Sequence, residues 1–293
     1  MADELGAPGL GELGLGGLDL GELVAGRRVL GVFAHPDDET FFAGATFAAC
    51  VAAGRDVRLA TLTAGEAGAI GVAPARRAVD RADLGALEAA AIAGLARYAS
   101  ACTALGVRRF GVVAPGRWRD VGDSGPGSLA AGDPAEIAVA VKDLLTEYRP
   151  DVLVTVDADG VTGHPDHIRA HEAVLAALDL LGSTGTPALA LGGCVRADDV
   201  TTARERLAGL VPGGQIGTTR IVGTSERGLL RTAWSPDAGA AKLAALDAYA
   251  PGLGSAALPD LVPDEPPVGD GILLRTIAEV VGPPHEYFRP LRP

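Results

Sequence analysis

The sequence predicts an α/β fold, a mainly parallel sheet with helices on both faces and a smaller C-terminal subregion. Two observations carry this. From residue 28 to about residue 180 short apolar runs alternate with longer helical stretches, the order that builds parallel sheets. The 293 residues are 48% hydrophobic but only 4% aromatic, so a large core must be packed from Ala, Val and Leu on closely spaced helices and strands.

Residues 1–26 alternate Gly and Leu with scattered acids and read as a flexible or weakly ordered segment without chemistry. The rest, 27–293, reads as one domain: an α/β core over 27–182, and a subregion over 183–293 that completes the pocket. Val29 to Phe33 is a buried strand that breaks at His35-Pro36, and the helix after it should run from near Glu39 to Ala53, stopped by Gly54. Val57 to Thr63 is a second strand, followed by an Ala-rich helical stretch to Leu105-Gly106. Phe110 to Val113, helix 134–148 and strand 152–156 follow. Beyond about residue 185 Gly, Pro and Thr blur the pattern. One helix, Pro236 to Tyr249, stands out; Pro259 to Pro267 reads as a loop, and the end around His285-Glu286-Tyr287-Phe288 as an edge strand.

A net charge of -12 opposes the field that nucleic acid or an anionic membrane surface requires, so neither is expected as a partner. Cys50, Cys102 and Cys194 are too few and too widely spaced for a disulfide framework or a CxxC pair, and read as buried small hydrophobes. The N-terminus carries Asp and Glu where a signal peptide carries Lys or Arg, and no apolar run reaches membrane length. A cytoplasmic enzyme is expected.

The chemistry lies in Ala34-His35-Pro36-Asp37-Asp38-Glu39 and Gly163-His164-Pro165-Asp166-His167, each just after a strand and so on the same rim of the sheet. His35 and Asp38, three apart at a strand-to-helix turn, and His167 from the neighbouring loop form a two-His, one-carboxylate set. This set suits catalytic Zn2+ with an open position. Asp37 is then the general base, His164 as imidazolium the electrophile for the developing oxyanion, and Asp166 its orienting partner. Asp clusters before helices often serve only as caps, and His-Pro turns occur without metals. Two such motifs on one rim, with four of five histidines at 35, 164, 167 and 171, favour a site. His171 reads as a helix-surface residue.

These two motifs resemble the paired signatures of the LmbE/PIG-L-like zinc N-deacetylases. That family includes mycothiol-pathway deacetylases and amidases, sugar deacetylases of antibiotic pathways and the GlcNAc-phosphatidylinositol de-N-acetylases. Leu62-Thr63-Ala64-Gly65-Glu66-Ala67-Gly68, Asp123-Ser124-Gly125, Arg149-Pro150-Asp151-Val152 and the stretch Lys242 to Tyr249 resemble further family pieces in order. The resemblance covers roughly residues 28–180 well. It implies a Rossmann-like fold and the same roles for His35, Asp37, Asp38, His164, Asp166 and His167. Thr162 stands where mycothiol-pathway members carry a Tyr, Pro126 replaces a frequent Met, and Arg97 lies near where a helical Glu is expected. Arg76, Asp123 and Thr162 are the candidate substrate contacts; Arg77, Arg81 and the Arg117-Trp118-Arg119 segment read more simply as surface.

The expected reaction is removal of an N-acetyl group from an amino sugar or a sugar-containing metabolite. An amidase of larger conjugates and a catalytically retired metal- or ligand-binding module are the alternatives. No GxGxxG opens a helix here, so a dinucleotide is not implied. Family members assemble in several ways, and a homo-oligomer is compatible with all of these readings.

Overall fold

Strand β1 (Arg28–Phe33) is the centre of the architecture, and its side chains alternate between two cores. Val29 and Phe33 enter one with Phe42, Phe47 and Tyr98; Leu30 and Val32 enter the other with Ile137, Val141 and Val174. A strand buried on both faces reads as a continuous apolar run, and that is how Val29 to Phe33 reads. The computed structural model describes residues 28–67, 84–122, 124–182, 185–211, 216, 220–226, 228–262 and 268–291. The N-terminal Gly/Leu segment, Arg76, Arg77, Arg81, Asp123 and part of the Pro-rich segment lie outside these residues.

Helix α1 (Asp38–Ala52) follows β1, then β2 (Asp56–Thr61), α2 (Leu84–Ala104), β3 (Arg109–Val112), α3 (Pro134–Tyr148), β4 (Val152–Val156) and α4 (Pro165–Leu181). After these come β5 (Leu189–Cys194), α5 (Ala197–Ala208), β6 (Leu230–Arg231), α6 (Pro236–Tyr249), the single turn α7 (Leu258–Leu261), α8 (Asp270–Val281) and β7 (Tyr287–Pro290). The seven strands lie in the order β3-β2-β1-β4-β5-β7-β6. β1 pairs in parallel with both β2 and β4, β2 with β3, and β4 with β5. Strand order therefore reverses between β1 and β4, and in sheets of this kind the crevice beyond the strand ends at such a point takes the ligand.

The expected α/β class holds, and helix 134–148 and strand 152–156 fall on their expected bounds. Asp133 caps α3 by accepting the Ala135 N–H at 2.9 Å, with Pro134 in the first turn. The three cysteines are buried free thiols. Tyr287–Pro290 does return to the sheet, yet it is no edge: it runs antiparallel between β5 and the two-residue β6, which takes the edge instead. Strand β5 was hidden by Gly192-Gly193, which reads as a breaker. A Cβ on Gly193 would stand 2.9 Å from Phe42 Cβ, so the glycine lets α1 lie against the strand.

Helix α1 is broken at Ala43 (φ -150, ψ 16), which frees the amides of Ala45 and Thr46 from helical acceptors. Both donate to the Glu286 carboxylate, at 3.0 and 2.9 Å, and the Thr46 hydroxyl donates to it at 2.6 Å. Lys242 on α6 donates to the same carboxylate at 2.8 Å. Lys242 is 3% and Glu286 4% exposed, so each charge is deprived of water and depends on the other. Glu286→Ala should therefore cost about 3–5 kcal/mol of unfolding free energy in a urea titration, because it strands a buried ammonium and two helix amides.

Candidate active site

The reversal between β1 and β4 brings the two histidine motifs together. The first leaves β1 through Ala34; the second follows β4 through the loop 157–164 and opens α4. The rings of His35, His164 and His167 stand 4.9 to 5.2 Å apart, centroid to centroid.

Outer hydrogen bonds orient the rings. His167 Nδ1 donates to the Gly160 carbonyl at 2.9 Å, which leaves Nε2 with its lone pair. His35 Nε2 donates to Asp166 Oδ2 at 3.1 Å, which leaves Nδ1. These two free nitrogens face one another at 3.1 Å, and Asp38 Oδ1 lies 3.1 Å from His167 Nε2. Asp38 Oδ2 lies 3.9 Å from His35 Nδ1 and accepts the His35 N–H at 3.0 Å. Three donors on zinc, with bonds of about 2.0–2.1 Å at tetrahedral angles, would stand about 3.3–3.4 Å apart. Two imidazole lone pairs and a carboxylate converging at this spacing fit a cation and repel one another without one.

The electrostatics give the same account. Burial alone would lower the His35 pKa, but Asp120, Asp166 and Asp38 outweigh it and hold the ring up at about 10. Acids gathered around a buried imidazole in this way favour positive charge at that place, which a bound metal would also supply. Asp38 resists the upward pull of burial because His167 and His35 stand beside it, and is held at about 2. Asp37, with burial and the Asp38 charge acting together, is pushed well above the usual carboxylate range. Its side chain makes no capping bond to α1, the ordinary duty of an Asp in that position.

His164 and Asp166 are arranged differently from the expected imidazolium and carboxylate pair. The Asp166 carboxylate is engaged by His35 and by the Ala130 N–H at 2.7 Å, so it steers His35 and not His164. His164 instead caps α4: its Nδ1 accepts the backbone N–H of Asp166 at 3.2 Å. The proton then sits on Nε2 of a neutral ring. Burial and the neighbouring His35 and His167 push its pKa down to about 4, against the imidazolium form.

Thr162 is likewise occupied: its hydroxyl lies 3.2 Å from His167 Nδ1 and accepts the His164 N–H at 3.3 Å. Its hydroxyl supports the loop that carries His164 and His167. Val161, a β-branched residue at φ 60, and Gly160 at φ 66 make this loop turn sharply. A Cβ on Gly160 would stand 2.8 Å from His167 Cβ. His171 is buried, not on the helix surface, and its Nδ1 pairs with the Val156 carbonyl at 2.8 Å. Trp118 is also buried, packed with Leu129 and Ile137 in the second core. Arg76 and Asp123 lie outside the described residues.

One acid escaped the sequence reading. Asp120 Oδ1 lies 3.8 Å from His35 Nε2, and its N–H is accepted by buried Glu66 at 2.9 Å. The Gly65-Glu66 loop thus holds the Asp120 loop, and a Cβ on Gly94 of α2 would stand 2.2 Å from the Ala64 carbonyl oxygen beneath it. The only signal in the sequence was the Gly65-Glu66 pair, whose partner no spacing names.

The family model described as PIG-L, GlcNAc-PI de-N-acetylase, matches residues 30–178, over half of the chain and inclusive of both motifs. The chain belongs to the PIG-L family. A relative from Catenulispora acidiphila, a 1D-myo-inositol 2-acetamido-2-deoxy-alpha-D-glucopyranoside deacetylase, is 46% identical over 171 residues, which is 54% of this chain and 46% of the relative. The chain spans about half the length of the curated relatives it matches. Among solved structures, a zinc-inhibited form of teicoplanin deacetylase aligns over 90% of this PIG-L chain and 98% of its own, with TM-score 0.57 and 17% identity. A 4-carboxy-2-hydroxymuconate hydratase from Pseudomonas putida aligns over 91% and 97%, with TM-score 0.54 and 13% identity. At such identities the likeness is one of fold, and the fold hosts more than one chemistry.

Asp166→Ala should leave the fold intact and weaken metal affinity about 10–100-fold, because His35 loses the partner that turns its lone pair inward. Competition between the protein and a colorimetric chelator for zinc measures this directly.

Proposed function

We propose that this chain is a zinc-dependent N-deacetylase that hydrolyses the acetamide of a glucosaminide or a related amino-sugar conjugate. The observation that carries the reading is the convergence of His35 Nδ1, His167 Nε2 and the Asp38 carboxylate beside Asp37, a carboxyl without a structural duty at its helix end. Membership of the PIG-L family and the deacetylase activity named for the Catenulispora relative point the same way.

His35, Asp38 and His167 would hold the zinc. When bound, zinc supplies Lewis acidity toward the amide carbonyl and toward water. Asp37 takes the proton as water attacks the carbonyl carbon and returns it to the departing amine nitrogen, so that free amine and acetate leave. His164, neutral and with its proton on Nε2, donates a hydrogen bond to the oxygen on which charge develops. A neutral donor replaces the imidazolium expected from the sequence, because Nδ1 is held as an acceptor by the Asp166 amide. Asp166 keeps His35 in the metal-binding tautomer, and Thr162 and Gly160 do the same for His167.

For the sugar we keep Arg76 and Asp123 as contacts to be tested. The C-terminal subregion is read as completing the pocket. Arg220 side-chain carbons would stand 3.2 Å from a Cβ on Gly163, and the half-buried Asp270, at the start of α8, lies close to His167.

Purified protein should carry about one zinc per chain and release acetate from N-acetylglucosaminyl inositol or a related amino sugar, with a chelator abolishing turnover. Asp37→Asn should retain zinc and lower kcat about 10²–10⁴-fold. Full turnover in that variant removes Asp37 as the base, and absence of zinc from every preparation sinks the reading.

A further inference from the structure

Asp37 holds a backbone conformation, φ 121 and ψ -33, that L side chains rarely adopt and that its neighbours must enforce. The Asp37 N–H donates to Glu39 Oε2 at 3.0 Å. Glu39 is 0% exposed, and it is an acid of the first turn that reaches back to the amide of the helix's N-cap residue. Its other oxygen, Oε1, accepts the Thr40 hydroxyl at 2.6 Å and the Tyr249 hydroxyl at 2.7 Å. Thr40 is adjacent in the chain and moves with the turn. Tyr249 comes from 210 residues away and does not.

Tyr249 closes the last turn of α6, the helix whose Lys242, two turns earlier, reaches α1 through Glu286 at the Ala43 break. Helix α6 thus grips α1 at two places. One fixes the break, and the other reaches Glu39 in the first turn, next to the proposed base Asp37. Asp38 needs neither grip, because the His35 N–H and the His167 ring hold its carboxylate.

We propose that Tyr249, acting through the buried Glu39 carboxylate, is a positioning residue that aims Asp37, without a part in holding the metal. The proposal rests on the reading of Asp37 as the base. The hydroxyl of Tyr249 fixes the rotamer of Glu39, and the Glu39 carboxylate then holds the Asp37 amide in its unusual conformation. Losing either donor or acceptor lets the peptide before Asp37 rotate and carries the carboxyl away from the attacking water. A displacement of about 1 Å at a reacting group costs on the order of 10–100-fold in rate.

The test uses the full chain with Tyr249→Phe, Glu39→Gln and the double variant. In metal-free protein, amide hydrogen exchange read by NMR should show Asp37 N–H protection falling at least about tenfold in Tyr249→Phe, with β1 and β4 amides unchanged. In the zinc-loaded enzyme kcat should fall about 10–100-fold, while KM and zinc affinity stay within about twofold. The double variant should be no worse than the more severe single one, because both act through one chain of contacts. Unchanged exchange and kcat in both single variants overturn the proposal. So does a parallel fall in kcat, zinc affinity and resistance to urea, which marks a merely structural contact. If the wild-type chain releases acetate from no substrate, the deacetylase reading fails by itself, and Asp37 exchange still decides whether Tyr249 positions it.

Discussion

Negative charge gathered at the crevice between β1 and β4 is the constraint on which the rest of the site depends. Asp38, Asp120 and Asp166 all act on the buried His35, and such a cluster is stable only around positive charge. The histidine lone pairs converge there because each ring gives its other nitrogen to a fixed acceptor. Loops that look irregular in sequence are built to supply those acceptors. Glu66 ties the Asp120 loop down, Gly160 turns its carbonyl toward His167, and the Ala130 amide holds the second oxygen of Asp166.

A second buried charge, far from the first in sequence, supports it. Helix α1 carries Asp38 and Glu39 in its first turn and is broken one turn later, at Ala43. A broken helix exposes amides that must find acceptors, and Glu286 fills the break with Lys242 as its counter-charge. A buried ion pair of this kind is weak support for stability as such. Its value lies in place: it fastens α6 to the helix that presents the first motif, so that residues 242–249 and 286 act on geometry set near residue 37.

His164 shows how tertiary contacts can alter a role without altering the residue. A histidine beside an aspartate reads as an imidazolium held by a carboxylate. Its position at the start of α4 makes one nitrogen an acceptor for a helix amide, and burial beside His35 and His167 disfavours the charged form. The ring remains able to donate a hydrogen bond, and the carboxylate two residues later is free to serve His35.

The sequence by itself determined the α/β class, the strands and helices up to Leu181, and the two motifs on one rim. Those features rest on local periodicity, helix caps and residue chemistry, which are written in consecutive positions. It left β5, α5, β6, α7 and α8 unseen: α7 overlaps the stretch read as a loop, and in β5 the paired glycines Gly192 and Gly193 mark the close approach of another element and not a break in the chain. Only the tertiary structure decided that Asp166 serves His35, that Thr162 braces His167, that Asp120 joins the site, and that Tyr287–Pro290 lies inside the sheet. Apart from Thr162 and His167, which share one loop, these are pairings between residues brought together by strand order, and a hydrogen bond such as His35 to Asp166, across 131 residues, leaves no spacing to read.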